Sequence, residues 1–164
     1  MARPVSEKIK RSLKSAQGLY HRLVLLVGVS GTGKTAVLRD IANDFGTTVI
    51  NVNWSLSKEL LALTEKQRSL RLPGILDEIA EKTSPPAVLD NVEVLFDKGL
   101  QQDPLRLLQG ISRNRPVIAS WNGKFEEGRL FYAEIGHPEY RRYDSADALI
   151  VAMDGTATVD SAKQ

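Results

Sequence analysis

Residues 28–35 of the sequence, GVSGTGKT, fit the pattern G-x-x-x-x-G-K-[ST] at every position. The glycines let the backbone turn tightly and point its N–H groups inward, where they complement phosphate charge at a helix N-terminus. Lys34 is long enough to reach the β- and γ-phosphates of a nucleotide, and the Thr35 hydroxyl can bind Mg²⁺. We expect the following residues to hold ATP: Ser30, Gly31, Thr32, Gly33, Lys34, Thr35 and Ala36.

The segments on either side of this loop have the character that a phosphate-binding loop requires. Residues 22–27 are a continuous apolar run, which is typical of a buried parallel strand. Residues 34–45 have the periodicity of an amphipathic helix that ends at Gly46. The residues expected to face inward are Val37, Leu38, Ile41, Ala42 and Phe45.

The third predicted strand, residues 87–89, is apolar and leads directly into Asp90. In P-loop folds an acid at this strand end lies beside the phosphate loop and holds Mg²⁺, so Thr35 and Asp90 are the predicted metal ligands. Glu93 is a candidate for the base that orients the attacking water, and it is equally compatible with a solvated surface carboxylate. The ATPases called AAA+ usually carry Glu directly after this Asp, whereas this chain has Asn91.

A fourth predicted strand, residues 116–120, is followed by Trp121-Asn122-Gly123. Asn122 resembles the sensor Asn of AAA+ domains, which contacts the γ-phosphate or the attacking water, although Asn before Gly is also a common turn. An arginine that stabilises the transition state is expected as well. Candidates are the pair Arg141 and Arg142, where an AAA+ finger usually lies, and the pair Arg113 and Arg115 before the fourth strand.

The remaining elements complete an alternation of strands and helices. A basic amphipathic helix is predicted over residues 5–20, capped by Ser6, with Ile9, Leu13, Ala16 and Tyr20 on one face. Three interpretations of this helix are compatible with the sequence: it covers the adenine side of the site, it docks on DNA or an acidic partner, or it is a solvated helix with one packed face. Further strands are predicted over 47–52, 129–135 and 148–153. A helix is predicted over 56–63, and a new helical turn begins at Thr64, which forms a capping box with Gln67. After a break at Pro73-Gly74 a helix is predicted over 75–82, and another begins at Asp103-Pro104.

Composition limits the classes of function. The chain has 164 residues, 42% hydrophobic and 26% charged, with a formal net charge of +2. Cysteine is absent, which excludes disulfides and thiolate chemistry, and two histidines are too few for a histidine-built metal site. No apolar run is long enough to cross a bilayer, and the basic N-terminus lacks the apolar core of a signal peptide, so we expect a cytoplasmic protein.

These patterns predict an α/β P-loop NTPase domain with a mainly parallel sheet flanked by helices. The domain is expected to span residues 1–153 as an AAA+-like core without a C-terminal lid domain, followed by a mobile polar tail over 154–164.

Four segments together resemble the BrxF family, the small P-loop proteins of type III bacteriophage-exclusion (BREX) defence systems. They are residues 23–38 (LVLLVGVSGTGKTAVL), 88–96 (VLDNVEVLF), 117–123 (VIASWNG) and 136–141 (GHPEYR). The resemblance implies an antiviral role beside other BREX subunits, with Gly31, Gly33, Lys34 and Thr35 binding nucleotide, Asp90 serving the metal and Glu93 as the base.

Three functions are compatible with the sequence. The favoured one is an ATPase that assembles into a nucleotide-dependent homo-oligomer. A small-molecule kinase of the shikimate or gluconate kinase type has a similar loop, but it needs an arginine-rich lid that is not evident in the sequence. In the third, nucleotide binding switches partner docking without hydrolysis, which Asn91 in place of Glu permits.

Overall fold

The computed structural model describes residues 2–158, with side chains from Pro4 onward. It contains five α-helices and seven β-strands in this part of the chain. The helices are α1 (Ala2–Ala16), α2 (Lys34–Asp44), α3 (Val52–Leu60), α4 (Glu65–Glu81) and α5 (Pro104–Ile111). The strands are β1 (Leu23–Gly28), β2 (Val49–Asn51), β3 (Ala87–Asp90), β4 (Val117–Glu126), β5 (Arg129–Tyr132), β6 (Arg141–Tyr143) and β7 (Leu149–Ala152).

A parallel sheet in the order β2-β3-β4-β1-β7 forms the centre of the molecule. The strands β1 and β4 lie in the middle, and their paired residues Leu23 and Val117 are fully buried. A β-strand buried on both faces must be apolar throughout, which is why the central strands lack an alternating pattern. The predicted fold class, an α/β P-loop domain with a mainly parallel sheet flanked by helices, is confirmed.

Helices cover the sheet on both faces and create two hydrophobic cores. One core lies between the sheet and the helices α3, α4 and α5, and it includes Leu25, Leu89 and Trp121. The other lies between the opposite face and the helices α1 and α2, and it includes Leu26 and Ile118. Consecutive residues of each central strand therefore alternate between the two cores.

The N-terminal helix differs from its prediction in extent and in detail. It ends at Ala16, so Tyr20 lies beyond it and is 67% exposed. Ser6 does not cap the helix, because it lies inside it and is fully buried. The inward positions Ile9, Leu13 and Ala16 are confirmed, since burial of the apolar face determines how an amphipathic helix docks.

In α2, Val37, Leu38, Ile41 and Ala42 are buried as expected. Phe45 is 41% exposed, because the helix ends at Asp44 and Phe45 occupies its C-cap.

The predicted break at Pro73-Gly74 is wrong, because α4 runs through both residues. A proline inside a helix leaves the carbonyl four residues earlier without its usual N–H partner. Here that carbonyl belongs to Ser69, and the Gln102 side-chain Nε2 donates a hydrogen bond to it at 2.7 Å. The helix begins at the predicted capping box, in which Thr64 and Gln67 each accept from the other's backbone N–H.

The strand β4 is longer than predicted and continues through Asn122 and Gly123 into an antiparallel hairpin with β5. The strand β6 then pairs with β5 and is absent from the sequence prediction. Gly123 is required at this position, because a Cβ atom there would lie 1.8 Å from the carbonyl oxygen of Phe131. The dipeptide Asn122-Gly123 is therefore part of a strand and not a turn.

After β7 the chain forms a turn and then a short β-bridge back to that strand. Ala157 forms a β-bridge with Val151, and Thr158 contacts the backbone of Ile150. Residues 159–164, the rest of the predicted mobile tail, lie outside the described residues. Across residues 2–158, none of the helices combines the length and the apolar character needed to cross a membrane.

Candidate functional site

The loop between β1 and α2 has the geometry of a phosphate cradle. Gly31 and Gly33 have positive φ angles of 85° and 93°, a region that residues with a Cβ atom rarely adopt. Gly33 is the N-cap of α2, so the helix starts at Lys34 with its free N–H groups pointing toward the loop. The predicted cradle residues Ser30, Gly31, Thr32, Gly33, Thr35 and Ala36 are all exposed at this helix N-terminus.

Lys34 is buried and bends back across the loop. Its Nζ atom donates hydrogen bonds to the carbonyl oxygens of Gly28 at 2.7 Å and Val29 at 2.8 Å. Burial lowers the pKa of Lys34, while the nearby charges of Glu93 and Asp90 act in the opposite direction. The ammonium group is therefore held by the loop backbone and interacts electrostatically with Glu93 and Asp90.

Thr35 and Asp90 meet directly. The Thr35 hydroxyl donates a hydrogen bond to Oδ2 of Asp90 at 2.7 Å. The two predicted metal ligands therefore form one oxygen-donor pair, which suits Mg²⁺. No group of three or more His, Cys, Asp or Glu side chains able to hold a metal occurs among residues 2–158. This donor set fits an ion that takes its remaining ligands from nucleotide phosphates and water, as Mg²⁺ does.

The other oxygen of Asp90 is also fixed. Oδ1 accepts hydrogen bonds from the Ser120 hydroxyl at 2.9 Å and from the backbone N–H of Asn91 at 2.9 Å. Sequence reasoning missed Ser120. Its position two residues before Asn122 on the same strand places both side chains on one face of the sheet, and this alternation is the signal that would have identified it.

Glu93 reaches the site because the chain turns sharply after β3. Asn91 has a left-handed φ of 56° and begins the 3₁₀ turn Val92–Phe96, which carries Glu93. The amide Nδ2 of Asn122 donates a hydrogen bond to Oε1 of Glu93. The predicted base and the predicted sensor residue are therefore direct partners, and Glu93 is only half-buried.

A cluster of aromatic rings lies between the 3₁₀ turn that carries Glu93 and the β4–β5 hairpin. Phe96, at the end of the 3₁₀ turn, stacks on Tyr132 of β5 with ring centroids 3.4 Å apart. Trp121 packs edge-on against both rings and donates from Nε1 to the carbonyl of Phe131 at 3.0 Å. Burial, together with the charges of Glu93 and Glu139, raises the pKa of Tyr132. This cluster joins the hairpin to the segment that carries Glu93.

The candidate arginines lie in different places. The guanidinium of Arg141 donates to the backbone oxygen of Gln102 at 2.9 Å, which ties β6 to the segment before α5. Arg142 is about half exposed and pairs with Asp144 at 3.1 Å. Arg113 and Arg115 precede β4, at the opposite edge of the sheet from the phosphate loop. At about 3.3 Å per residue, the part of β4 from Val117 to Asn122 alone separates them from the site by about 16 Å. Within one chain those two do not reach the loop.

The N-terminal helix lies against α2, β1 and β7, on the β7 side of the phosphate loop. Lys10 of α1 pairs with Asp44 at the end of α2 at 2.7 Å, and Lys8 donates a hydrogen bond to the carbonyl of Gly155. Met153, which follows β7, approaches the loop so closely that a Cβ atom at Gly28 would lie 2.8 Å from its Cγ atom. The turn after β7 thus borders the phosphate loop, and α1 covers the neighbouring part of the sheet.

Comparison with known proteins agrees with this geometry. One match is the Replication factor C large subunit of Thermoplasma acidophilum, which is 28% identical over 115 residues. The match covers 68% of this chain, and the chain spans only 28% of the length of that relative. The family model for the ATPase family associated with various cellular activities (AAA) matches residues 24–118, from the first strand to the start of β4. Because that match covers more than half of the sequence and includes the phosphate loop and Asp90, the chain belongs to the AAA ATPase family.

Proposed function

We propose that this protein binds ATP with Mg²⁺, hydrolyses it, and works in the cytoplasm as a nucleotide-gated oligomer within a prokaryotic anti-phage system. One observation carries the ATPase part. Five side chains lie together at the carboxyl edge of adjacent strands. They are Lys34, the hydrogen-bonded pair Thr35 and Asp90, and the hydrogen-bonded pair Glu93 and Asn122. Ligands of open α/β sheets bind at this edge.

Each residue has a role that its contacts support. The ammonium of Lys34 exchanges its two carbonyl partners for the β- and γ-phosphate oxygens. Thr35 and Asp90 would hold Mg²⁺, which would neutralise charge on the phosphates. Glu93 orients a water molecule and accepts its proton as the water oxygen attacks the γ-phosphorus, and the bond to the β–γ bridging oxygen breaks to leave ADP and phosphate. Asn122 keeps the Glu93 carboxylate in place through its amide hydrogen bond.

Assembly of several copies is proposed for two reasons. The phosphate loop is exposed at the sheet edge, where a neighbouring copy has access to the γ-phosphate. Arg142 is about half exposed, and it would reach a neighbour by exchanging its surface pair with Asp144 for the phosphate. The relative from Thermoplasma acidophilum is, by its name, a subunit of a larger factor. The placement in a BREX complex with other defence subunits rests on the four sequence segments that resemble BrxF.

Contact with nucleic acid through the basic helix α1 belongs to the same proposal and rests on the excess of cationic residues in that helix. The helix is anchored to the protein by its apolar face and by the ion pair of Lys10 with Asp44.

To test this proposal, particle size is measured by light scattering and phosphate release is measured in the same samples of the full chain, with and without ATP and Mg²⁺. We expect both particle growth and phosphate release on addition of ATP. Lys34→Ala should weaken ATP binding by about 100-fold, because it removes charge-assisted hydrogen bonds to phosphate. The matched control is Lys14→Ala, an exposed lysine in the last turn of α1, and it should leave binding unchanged.

Each part of the proposal can fail separately. A particle size that is the same with and without ATP would remove the oligomer. Nucleotide binding with no phosphate release would replace the ATPase with a binding switch. Equal ATP affinity of Lys34→Ala and the original chain would remove the phosphate loop from the function.

A further inference from the structure

Three hydrogen bonds hold the carboxylate of Asp90 in place. Its two carboxylate oxygens accept from Thr35, from the Asn91 backbone and from Ser120. Ser120 is 2% exposed, and its partner Asp90 is 7% exposed. A charge this deeply buried must be fully hydrogen-bonded, and the arrangement of its partners determines which oxygen remains accessible.

The sheet itself places Ser120 beside Asp90. Leu89 of β3 pairs with Ala119 of β4, so the next residue on each strand is Asp90 and Ser120. Both side chains project to the face that α2 covers, where Thr35 lies in the first turn of that helix. The hydroxyl therefore approaches Asp90 from the side of Oδ1, while Thr35 approaches Oδ2.

We infer that Ser120 is a positioning residue for the metal site, which fixes the Asp90 carboxylate so that its Oδ2 edge faces Thr35 and Mg²⁺. This inference rests on the proposed nucleotide function and adds a residue to it. With Oδ1 tied to Ser120 and to the Asn91 backbone, the carboxylate cannot rotate about its χ2 angle without breaking two hydrogen bonds. Hydrogen-bonding partners of metal ligands orient those ligands in this way.

The consequence is specific to Mg²⁺. Loss of the Ser120 hydroxyl leaves Lys34 and the backbone of the phosphate loop intact, so nucleotide binding without metal should persist. The gain in affinity that Mg²⁺ provides should fall, by about tenfold if Ser120 acts as other partners of metal ligands do.

The experiment measures the dissociation constant of the non-hydrolysable analogue AMP-PNP by calorimetry, once in excess Mg²⁺ and once in EDTA. The readout is the ratio of the two constants, which does not depend on hydrolysis. We expect Ser120→Ala to keep the EDTA value within about twofold and to lower the ratio by about tenfold. Ser120→Cys keeps the shape of the side chain and a weak donor, and its ratio should lie between those of the alanine variant and the original chain.

Ser112→Ala is the matched control. Ser112 is also fully buried and donates to a backbone carbonyl, that of Gln109 at 2.7 Å, but it follows α5 and precedes the amino end of β4. Its ratio should equal that of the original chain.

The outcomes separate the two proposals. If the original chain does not bind AMP-PNP in either condition, the nucleotide function fails and the role of Ser120 fails with it. If the original chain binds but Ser120→Ala shows the same ratio, only the role of Ser120 is overturned. If Ser120→Ala loses binding in EDTA as well, the hydroxyl serves the general structure of the site and the positioning role is likewise rejected.

Discussion

At the scale of single residues, the backbone of Asn91 determines whether Glu93 can act at all. The left-handed φ of 56° at Asn91 reverses the chain after β3 and sends it into the 3₁₀ turn that carries Glu93. Asparagine adopts this conformation more readily than most residues with a Cβ atom. AAA+ ATPases usually have Glu directly after the strand-end Asp, whereas this chain has Asn91 after Asp90. The turn at Asn91 brings a different acid, Glu93, to Asn122.

Replacement of Glu93 by glutamine tests this role. Glu93→Gln keeps a carbonyl oxygen that can accept from Asn122, but it removes the group that takes the proton of the attacking water. We expect phosphate release to fall by at least about 100-fold while the affinity for AMP-PNP stays within about threefold, since general bases contribute at least that factor.

Glu127→Gln is the control for this experiment, because Glu127 is exposed in the turn between β4 and β5. It should leave both quantities unchanged. A Glu93→Gln variant that hydrolyses ATP at the original rate would exclude Glu93 from the reaction.

The residues of the motif could be predicted and their hydrogen-bond partners could not. Lys34, Thr35 and Asp90 are identifiable because their chemistry depends on type and spacing along the chain. The contacts of Ser120 with Asp90 and of Asn122 with Glu93 depend on the register between strands β3 and β4, which a single sequence does not specify.

At the scale of elements, α4 shows how a side chain from elsewhere can restore a helix. Pro73 lacks the N–H that would bond the carbonyl of Ser69, and Gln102 supplies a donor from the segment before α5. The local sequence Pro73-Gly74 favours a break, but the distant contact and the burial of Leu72 and Leu76 override that preference. Information of this kind is tertiary and is not contained in the pattern of the helix itself.

A double-mutant cycle measures this restoration. Gln102→Ala should lower the free energy of unfolding by about 1 kcal/mol, because it leaves the Ser69 carbonyl without a partner. In a Pro73→Ala background the same change should cost less, since the new N–H at position 73 can bond the Ser69 carbonyl. Urea unfolding of the four proteins provides the measurement. An equal cost of Gln102→Ala in both backgrounds would show that the side chain does not substitute for the missing N–H.

The hairpin β4–β5–β6 shows a second limit of prediction. Asn122-Gly123 has the composition of a turn, yet Gly123 is present because Phe131 of the neighbouring strand approaches its Cα closely. Strand β6 has only three residues, Arg141–Tyr143, too few for a periodic signal. Its position is set by Tyr143, which donates to Asp103 at 2.8 Å, and by Arg141 on the Gln102 carbonyl.

At the scale of the whole molecule, the two edges of the parallel sheet carry different kinds of polar contact. The carboxyl edge holds the candidate nucleotide site. The amino edge holds Arg22, which donates to the carbonyl of Arg113, and Arg113, which lies over the ring of Tyr20 at 4.8 Å. This division follows from the parallel topology, because all loops that lead from strand ends into helices meet at one edge. Alternation of strands and helices in the sequence predicts the parallel sheet, but not the contacts at its amino edge.

The amino edge also contains an ion pair that should make stability depend on pH. Arg115 is buried, and its Nη1 atom donates to Oδ1 of Asp77 at 2.8 Å, joining the segment before β4 to α4. The hydrogen bond from Arg115, helped by one from Asn114, lowers the pKa of Asp77. A carboxyl whose pKa is depressed by folding stabilises the native state above its unfolded pKa of about 3.9, and this contribution is lost as the pH falls through the lower native value.

Asp77→Asn should therefore be less stable than the original chain at pH 7, and the difference should shrink as the pH falls below about 4. Because the Asp77 side chain is 35% exposed, solvent screens the pair, and we expect a difference of roughly 0.5–1 kcal/mol at pH 7. The free energy of unfolding in urea, measured at several pH values between about 3 and 7, tests both the size and the sign. Asp144→Asn is the control, since Asp144 is 69% exposed in its pair with Arg142 and should contribute little at any pH. A difference between Asp77→Asn and the original chain that stays constant across this range would mean that the ionised carboxylate is not what joins α4 to the amino edge of the sheet.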